Sequence, residues 1–147
     1  MSVNGAREFV DANVLVYAYD PSAAGKHEQA QTLVERLWHD GTGCVSVQVL
    51  QEFFVTVTRK VPKPLKVETA ELRVRELCAW RVFAPRAEDV LAAIAVQQRS
   101  KLSFWDAMVV EAARQLECDT LWTEDLTHGQ RLHGVSIANP FRHGAGR

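Results

Sequence analysis

The sequence predicts an α/β fold, a three-layer α/β/α sandwich with a central, mainly parallel sheet. Short apolar runs begin with Phe9-Val10 and recur at Cys44–Val47, Val82-Phe83, Thr120–Trp122 and Val135–Ile137. Between them lie stretches of helical period, and that alternation favours βα units, because a parallel crossover is usually made by a helix. Acidic residues also stand just past two of the runs, Asp11 after Val10 and Asp125 a few residues after Trp122. Open α/β sheets bind their ligands in that position, beyond the carboxyl ends of the strands.

The first strand leads into Asp11, and Val14, Leu15, Val16 and Tyr17 then suit a helical turn that Asp20-Pro21 stops. Asn13 lies at that junction, where an amide can cap a helix or tie down a loop. From His27 to Trp38 the apolar Ala30, Leu33, Val34, Leu37 and Trp38 follow helical spacing, and Gly41 to Gly43 end it. Ser46 closes the second strand and is placed to cap a helix over Val49–Thr58. Here Phe53, Phe54, Val55, Thr56 and Val57 are β-formers, so propensity and pattern disagree and the pattern is followed. Val61–Pro64 reads as an exposed linker or hinge because it holds Pro62 and Pro64. A helix over Val67–Trp80, the strand Val82-Phe83, a helix over Ala87–Gln98 and another from about Phe104 to Leu116 complete the alternation. Thr120–Trp122 gives a fourth strand and Val135–Ile137 a fifth.

The 147 residues suit one domain, 1–147, with a core that needs no disulfide or metal staple. Hydrophobic residues make up 47% and charged residues 24%, the balance of a folded chain. The net charge of -1 offers no global basic excess for a nucleic acid, although a carboxylate cluster would cancel a basic rim in the total. Lys60, Lys63, Lys66, Arg73, Arg75 and Arg81 are candidates for such a rim, and each also suits a solvated position. Cys44, Cys78 and Cys118 form no Cys-x-x-Cys pair and read as reduced, mostly buried thiols. With neither a signal-peptide core at Met1–Glu8 nor an apolar segment long enough to span a bilayer, a cytoplasmic protein is expected.

Several chemistries find no support. No Walker or dinucleotide glycine loop is present, and Gly129 and Gly134 are isolated turn candidates. His27, His39, His128, His133 and His143 are too scattered for a zinc site, and no Ser or Cys has a positioned His partner. What remains is acidic. Asp11 suits either a turn acceptor or a ligand at a strand end. Glu52, amid Val49, Leu50, Phe53 and Phe54, is either costly to bury without a partner or on a solvent-facing stripe. Asp106 fits a capping box with Ser103, and its place near a helix start also lets it face a cation. Asp125 has Glu124 beside it as an equally available alternative ligand. The aromatics near Glu52 and Asp106 are expected to pack in the core rather than stack on bases.

The ordered set Phe9-Val10-Asp11-Ala12-Asn13-Val14-Leu15, Glu52, Phe104-Trp105-Asp106-Ala107 and Thr123-Glu124-Asp125-Leu126 resembles the acidic motifs of PIN-domain nucleases, especially VapC-type toxins. The ending Val135 to Phe141, with Asn139-Pro140-Phe141, is similar too. The resemblance covers nearly the whole chain. It implies a PIN-like fold and a catalytic, metal-binding set of Asp11, Glu52, Asp106 and Asp125, supported by Asn13 and Thr123. It also implies a magnesium-dependent endoribonuclease (manganese a substitute), a usual homodimer, and inhibition by a small cognate antitoxin of VapB-like type. Clustered carboxylates raise one another's pKa, and hard cations relieve that repulsion. Trp38, Phe53, Phe54 and Trp80, more apolar bulk than a domain of this size need bury, also favour a dimer. The same acids would equally serve a metal-dependent DNA nuclease or small phosphoesterase, or cap helices in a non-catalytic RNA-binding or regulatory module.

Overall fold

The computed structural model describes residues 5–142; Met1–Asn4 and His143, considered above, lie outside them. Six strands form one sheet in the order β3-β2-β1-β4-β6-β5. In chain order these are β1 Arg7–Val10, β2 Gly43–Ser46, β3 Arg81–Phe83, β4 Cys118–Trp122, β5 Arg131–Leu132 and β6 Val135–Ala138. Every pairing is parallel except β5 with β6. The helices are α1 Ala12–Ala18, α2 Gly25–Asp40, α3 Val47–Arg59, α4 Val67–Leu77, α5 Ala87–Ser100 and α6 Phe104–Gln115. α1 packs on α2 and α3, α3 on α4, α5 on α6, and α6 also crosses β2 and β4, so helices flank the sheet. The α/β sandwich with a mainly parallel sheet is therefore what the chain forms.

Strand order matters most for the site. The chain builds outward from β1 through β2 to β3 and then returns to lay β4 on the opposite side of β1. That reversal is a switch point, where loops diverge above and below the sheet and leave a crevice at the carboxyl ends of β1 and β4. The ladder holds Phe9 against Leu121 and Val10 against Trp122, and the Asp11 amide donates to the Trp122 carbonyl at 3.0 Å. Asp11 and Thr123 thus leave the sheet side by side. Phe9, Val10 and Leu121, all fully buried, anchor the pairing of β1 with β4 in the core.

The conflict over α3 resolves as a helix. Val49, Phe53 and Val57 recur four apart and are buried, so tertiary packing overrides their β propensity, and the Ser46 hydroxyl accepts the Val49 amide at 3.2 Å. Gly41, at φ 69°, ends α2 with a left-handed cap.

Two expectations change. The helix expected over Val67–Trp80 stops at Leu77, and Trp80, 8% exposed, turns inward to lie over Gly43. A Cβ on Gly43 would sit 2.7 Å from the indole, so the glycine is what admits the ring. The strand expected at Val135–Ile137 is β6, and β5 pairs with it through a hairpin. Its two-residue turn, His133 at φ 51° and Gly134 at φ 86°, has the positive φ values of a type I′ hairpin. Of the four large aromatics weighed for an interface, Phe53 and Trp80 are buried, whereas Trp38 is 39% exposed and packs edge-on against Trp80.

Candidate active site at the switch point

Asp11 is the N-cap of α1. Its Oδ1 accepts the Ala12 amide at 2.8 Å and its Oδ2 accepts the Thr123 hydroxyl at 2.9 Å. At 6% exposure the carboxyl has little water, and its pKa is raised to about 7. Burial is the largest cause, opposed by the two hydrogen bonds and reinforced by the charges of Asp125 and Glu52. No basic side chain among the described residues pairs with it.

Thr123, fully buried at the end of β4, organises the other wall. A hydroxyl has one proton and two lone pairs. Here the proton goes to Asp11, and the lone pairs take the Asp125 amide at 3.1 Å and the Asn13 side-chain amide at 3.3 Å. The same Asn13 nitrogen donates to Asp125 Oδ2 at 3.0 Å, and Asn13 Oδ1 accepts the Glu124 amide at 3.4 Å. Asn13 and Thr123 thereby stitch the start of α1 to the loop after β4 and hold Asp125 beside Asp11.

Glu124 points elsewhere. Its Oε2 accepts the Tyr17 hydroxyl at 2.8 Å, and its Oε1 pairs with Lys26 at 2.9 Å. Lys26 in turn lies over the Tyr17 ring at 4.9 Å and over Phe141 at 5.4 Å. Both oxygens of Glu124 are engaged away from Asp11, while Asp125 keeps Oδ1 free of hydrogen bonds among the described residues.

Glu52 sits on the solvent-facing stripe of α3, the second of its two alternatives, and accepts Gln48 Nε2 at 3.2 Å. Gln48 also donates to the Trp105 carbonyl at 3.3 Å, tying α3 to the first turn of α6. Asp106 is half-buried in that turn. The Ser103 hydroxyl accepts its amide at 3.0 Å, but no reciprocal bond from its carboxylate completes a capping box among the described residues. Burial raises the Asp106 pKa and the Asp125 charge adds to it, against the Ser103 hydroxyl. The neighbouring Trp105 is 61% exposed, contrary to the expectation that the aromatics here fill the core.

Asp11, Glu52 and Asp125 line one cavity of about 540 Å³, with Asn13, Tyr17, Asp20, Thr56 and Lys60 also on its walls; Asp106 does not line it. Asp20 and Tyr17 carry no site signal in the sequence, since Asp20-Pro21 reads as a helix stop, and Lys60 stands there as one of six candidates for a basic rim, each equally suited to a solvated position. Only the packing of α1 against α3 brings them to the acids. Hard oxygen donors without cation partners fit magnesium or manganese in kind. In spacing the set is incomplete: among the described residues no three His, Cys, Asp or Glu side chains are arranged to hold a metal ion.

Residues 9–130 match the family model described as PIN domain. No curated protein matches the chain. Among solved structures, a chain of a toxin–antitoxin complex from Klebsiella pneumoniae superposes with a TM-score of 0.67 at 17% identity, covering 91% of this chain and 98% of that one. VapBC2 from Rickettsia felis, bound to a DNA fragment from its promoter, gives 0.63 at 19% identity over 90% and 97% of the two chains. The sarcin-ricin loop cleaving toxin VapC20 of Mycobacterium tuberculosis gives 0.58 at 19% identity over 78% and 86%. At these identities the likeness is one of fold.

Proposed function

This chain belongs to the PIN-domain family, and from that premise we propose that it is a metal-dependent endoribonuclease, the toxin of a toxin–antitoxin pair, acting as one domain over residues 1–147. The observation that carries the reading is the burial of Asp11 at the switch point, with Asp20, Glu52 and Asp125 on the same cavity and none of the four in an ion pair among the described residues. Isolated buried charge of this kind is costly, and a protein retains it where a ligand offsets the cost.

Asp11, Glu52 and Asp125, with Asp106 beside Asp125, are the residues that would hold magnesium or manganese. When bound, a divalent cation supplies an acidified water and offsets charge on the phosphate and leaving oxygen. The chain's own residues do the rest. Thr123 and Ala12 fix both oxygens of Asp11, Asn13 fixes Asp125, and Gln48 fixes Glu52 relative to α6. With its pKa raised to about 7 by burial, the Asp11 carboxyl exchanges its proton near neutrality. Glu124, held by Tyr17 and Lys26, braces the loop that carries Asp125.

The likeness to a chain of the Klebsiella pneumoniae toxin–antitoxin complex supports a small cognate antitoxin of VapB-like type as partner. A homodimer is part of the same reading, and exposed Trp38, Leu91 and Trp105 are apolar surface available to either interface. No helix among the described residues is long and apolar enough to cross a membrane.

The test is a cleavage assay on single-stranded RNA, structured RNA, matched DNA and a small phosphodiester, each with magnesium, manganese or chelator. Endonucleolytic RNA products that need metal and vanish in Asp11→Asn are expected. Preferred turnover of DNA or the small ester selects another phosphodiesterase, and RNA binding without products selects a binding module.

A further inference from the structure

We propose that Lys60 anchors the phosphate that neighbours the scissile one, so that the stripe Glu52-Thr56-Lys60 on α3 is a track for single-stranded RNA. The inference rests on the ribonuclease reading and names how that site grips its substrate.

Residues four apart are neighbours on a helix surface, so Glu52, Thr56 and the C-cap Lys60 form a slanting row about 12 Å long at the end of α3. The row borders two depressions. One is the acid-lined cavity of about 540 Å³, and the other, of about 240 Å³, is lined by Gln51, Glu52, Val55, Thr56 and Lys60. All three residues of the row line both, so it forms a low saddle between two hollows, a shape that an extended strand can cross. The row runs from an acid at one end, through a hydroxyl, to a cation at the other.

Among the described residues Lys60 is the one basic residue on the wall of the acid-lined cavity. Its other walls carry Asp11, Asp20, Glu52 and Asp125, yet among the described residues Lys60 forms no ion pair with any of them. Its backbone caps α3, donating to the Thr56 carbonyl at 2.8 Å, and Val61 and Pro62 follow directly on the cavity wall. The backbone of Lys60 is therefore fixed at the end of the row, and its exposed side chain extends from there. A favourable interaction with the carboxyl end of the helix would account for a basic residue here, but Arg59 serves that purpose equally and lines neither hollow. A strand with its scissile phosphate near the acids would bring a flanking phosphate toward Lys60. A phosphate is the anion that a flexible, strongly hydrated ammonium contacts as a point charge.

The experiment measures binding of a short single-stranded RNA to wild type, Lys60→Ala, Lys60→Arg and Arg59→Ala in chelator, where cleavage is silent, across a salt series. Loss of one phosphate contact on a single strand lowers the slope of log K against log salt by about 0.7. That fall, with severalfold weaker binding, is expected for Lys60→Ala, with Lys60→Arg near wild type and Arg59→Ala shifting the slope less. With metal present, Lys60→Ala should raise KM more than it lowers kcat. An unchanged slope and affinity in Lys60→Ala, beside a wild type that binds and cuts RNA, overturns this inference alone. A wild type that neither binds nor cuts RNA overturns the ribonuclease reading and this inference with it.

Discussion

Asp11→Asn separates the electrostatic cost of the site from its use. Burial raises the folded-state pKa of Asp11 from the usual 3.8 to about 7, so between those values the folded chain holds a proton that the unfolded chain has released. Without metal, stability is therefore greatest below the unfolded value, declines as pH rises through this window, and levels off above about 7. A gap of about three in pKa corresponds to roughly 4 kcal/mol in all, and between about pH 5 and about pH 8.5 to roughly 2–3 kcal/mol. Asparagine removes the charge. It keeps one carbonyl to accept the Ala12 amide but presents an N–H to the Thr123 hydroxyl, a mismatch that costs about 1–2 kcal/mol at every pH. The variant should thus lie near wild type in stability at about pH 5 and exceed it by about 2–3 kcal/mol at about pH 8.5, in chelator. Urea unfolding at both values measures this, and other groups titrating in the window are common to both chains and cancel. Adding magnesium at the higher pH should stabilise wild type and leave the variant unmoved. A stability difference between the two chains that is the same at both pH values would refute the reasoning.

Asp125→Asn should lower metal-dependent cleavage by roughly tenfold or more. Glu124→Gln, which weakens only a partly exposed pair with Lys26, should keep cleavage within a few-fold and cost at most about 1 kcal/mol. Parallel rate and melting measurements decide, and the opposite ranking would make Glu124 the ligand. Gly43→Ala places a methyl 2.7 Å from the Trp80 ring and should cost about 1–3 kcal/mol through displacement of a core indole; a thermal midpoint equal to wild type would show that the ring moves freely.

The layer architecture was legible in the sequence because it follows from local repetition. Apolar runs too short for helices, helical periods between them and residues such as Ser46 and Gly41 that start or stop a helix are each decided within a few residues. The acids were legible as types, since Asp11 follows a strand and Asp106 opens a helix. Their neighbours in space were not. Whether Glu52 lay in the core or on a solvent stripe turned on the rotation of α3, which Val49, Phe53 and Val57 set by packing inward. Whether Glu124 or Asp125 turned toward Asp11 turned on partners more than a hundred residues away, Tyr17 and Asn13, brought there because β1 and β4 are adjacent at the switch point. The end of α4 was misjudged because Trp80 fits a helical pattern, while its resting place over Gly43 is a long-range contact that no local period encodes. The sequence by itself determined the element types, the parallel α/β plan and the acidic character of the site, because backbone preference and amphipathic period act locally. Only the tertiary structure decided the burial of Asp11, the hydrogen-bond partners of the neighbouring acids and the place of Lys60, because burial and electrostatics depend on what the folded chain sets beside each group.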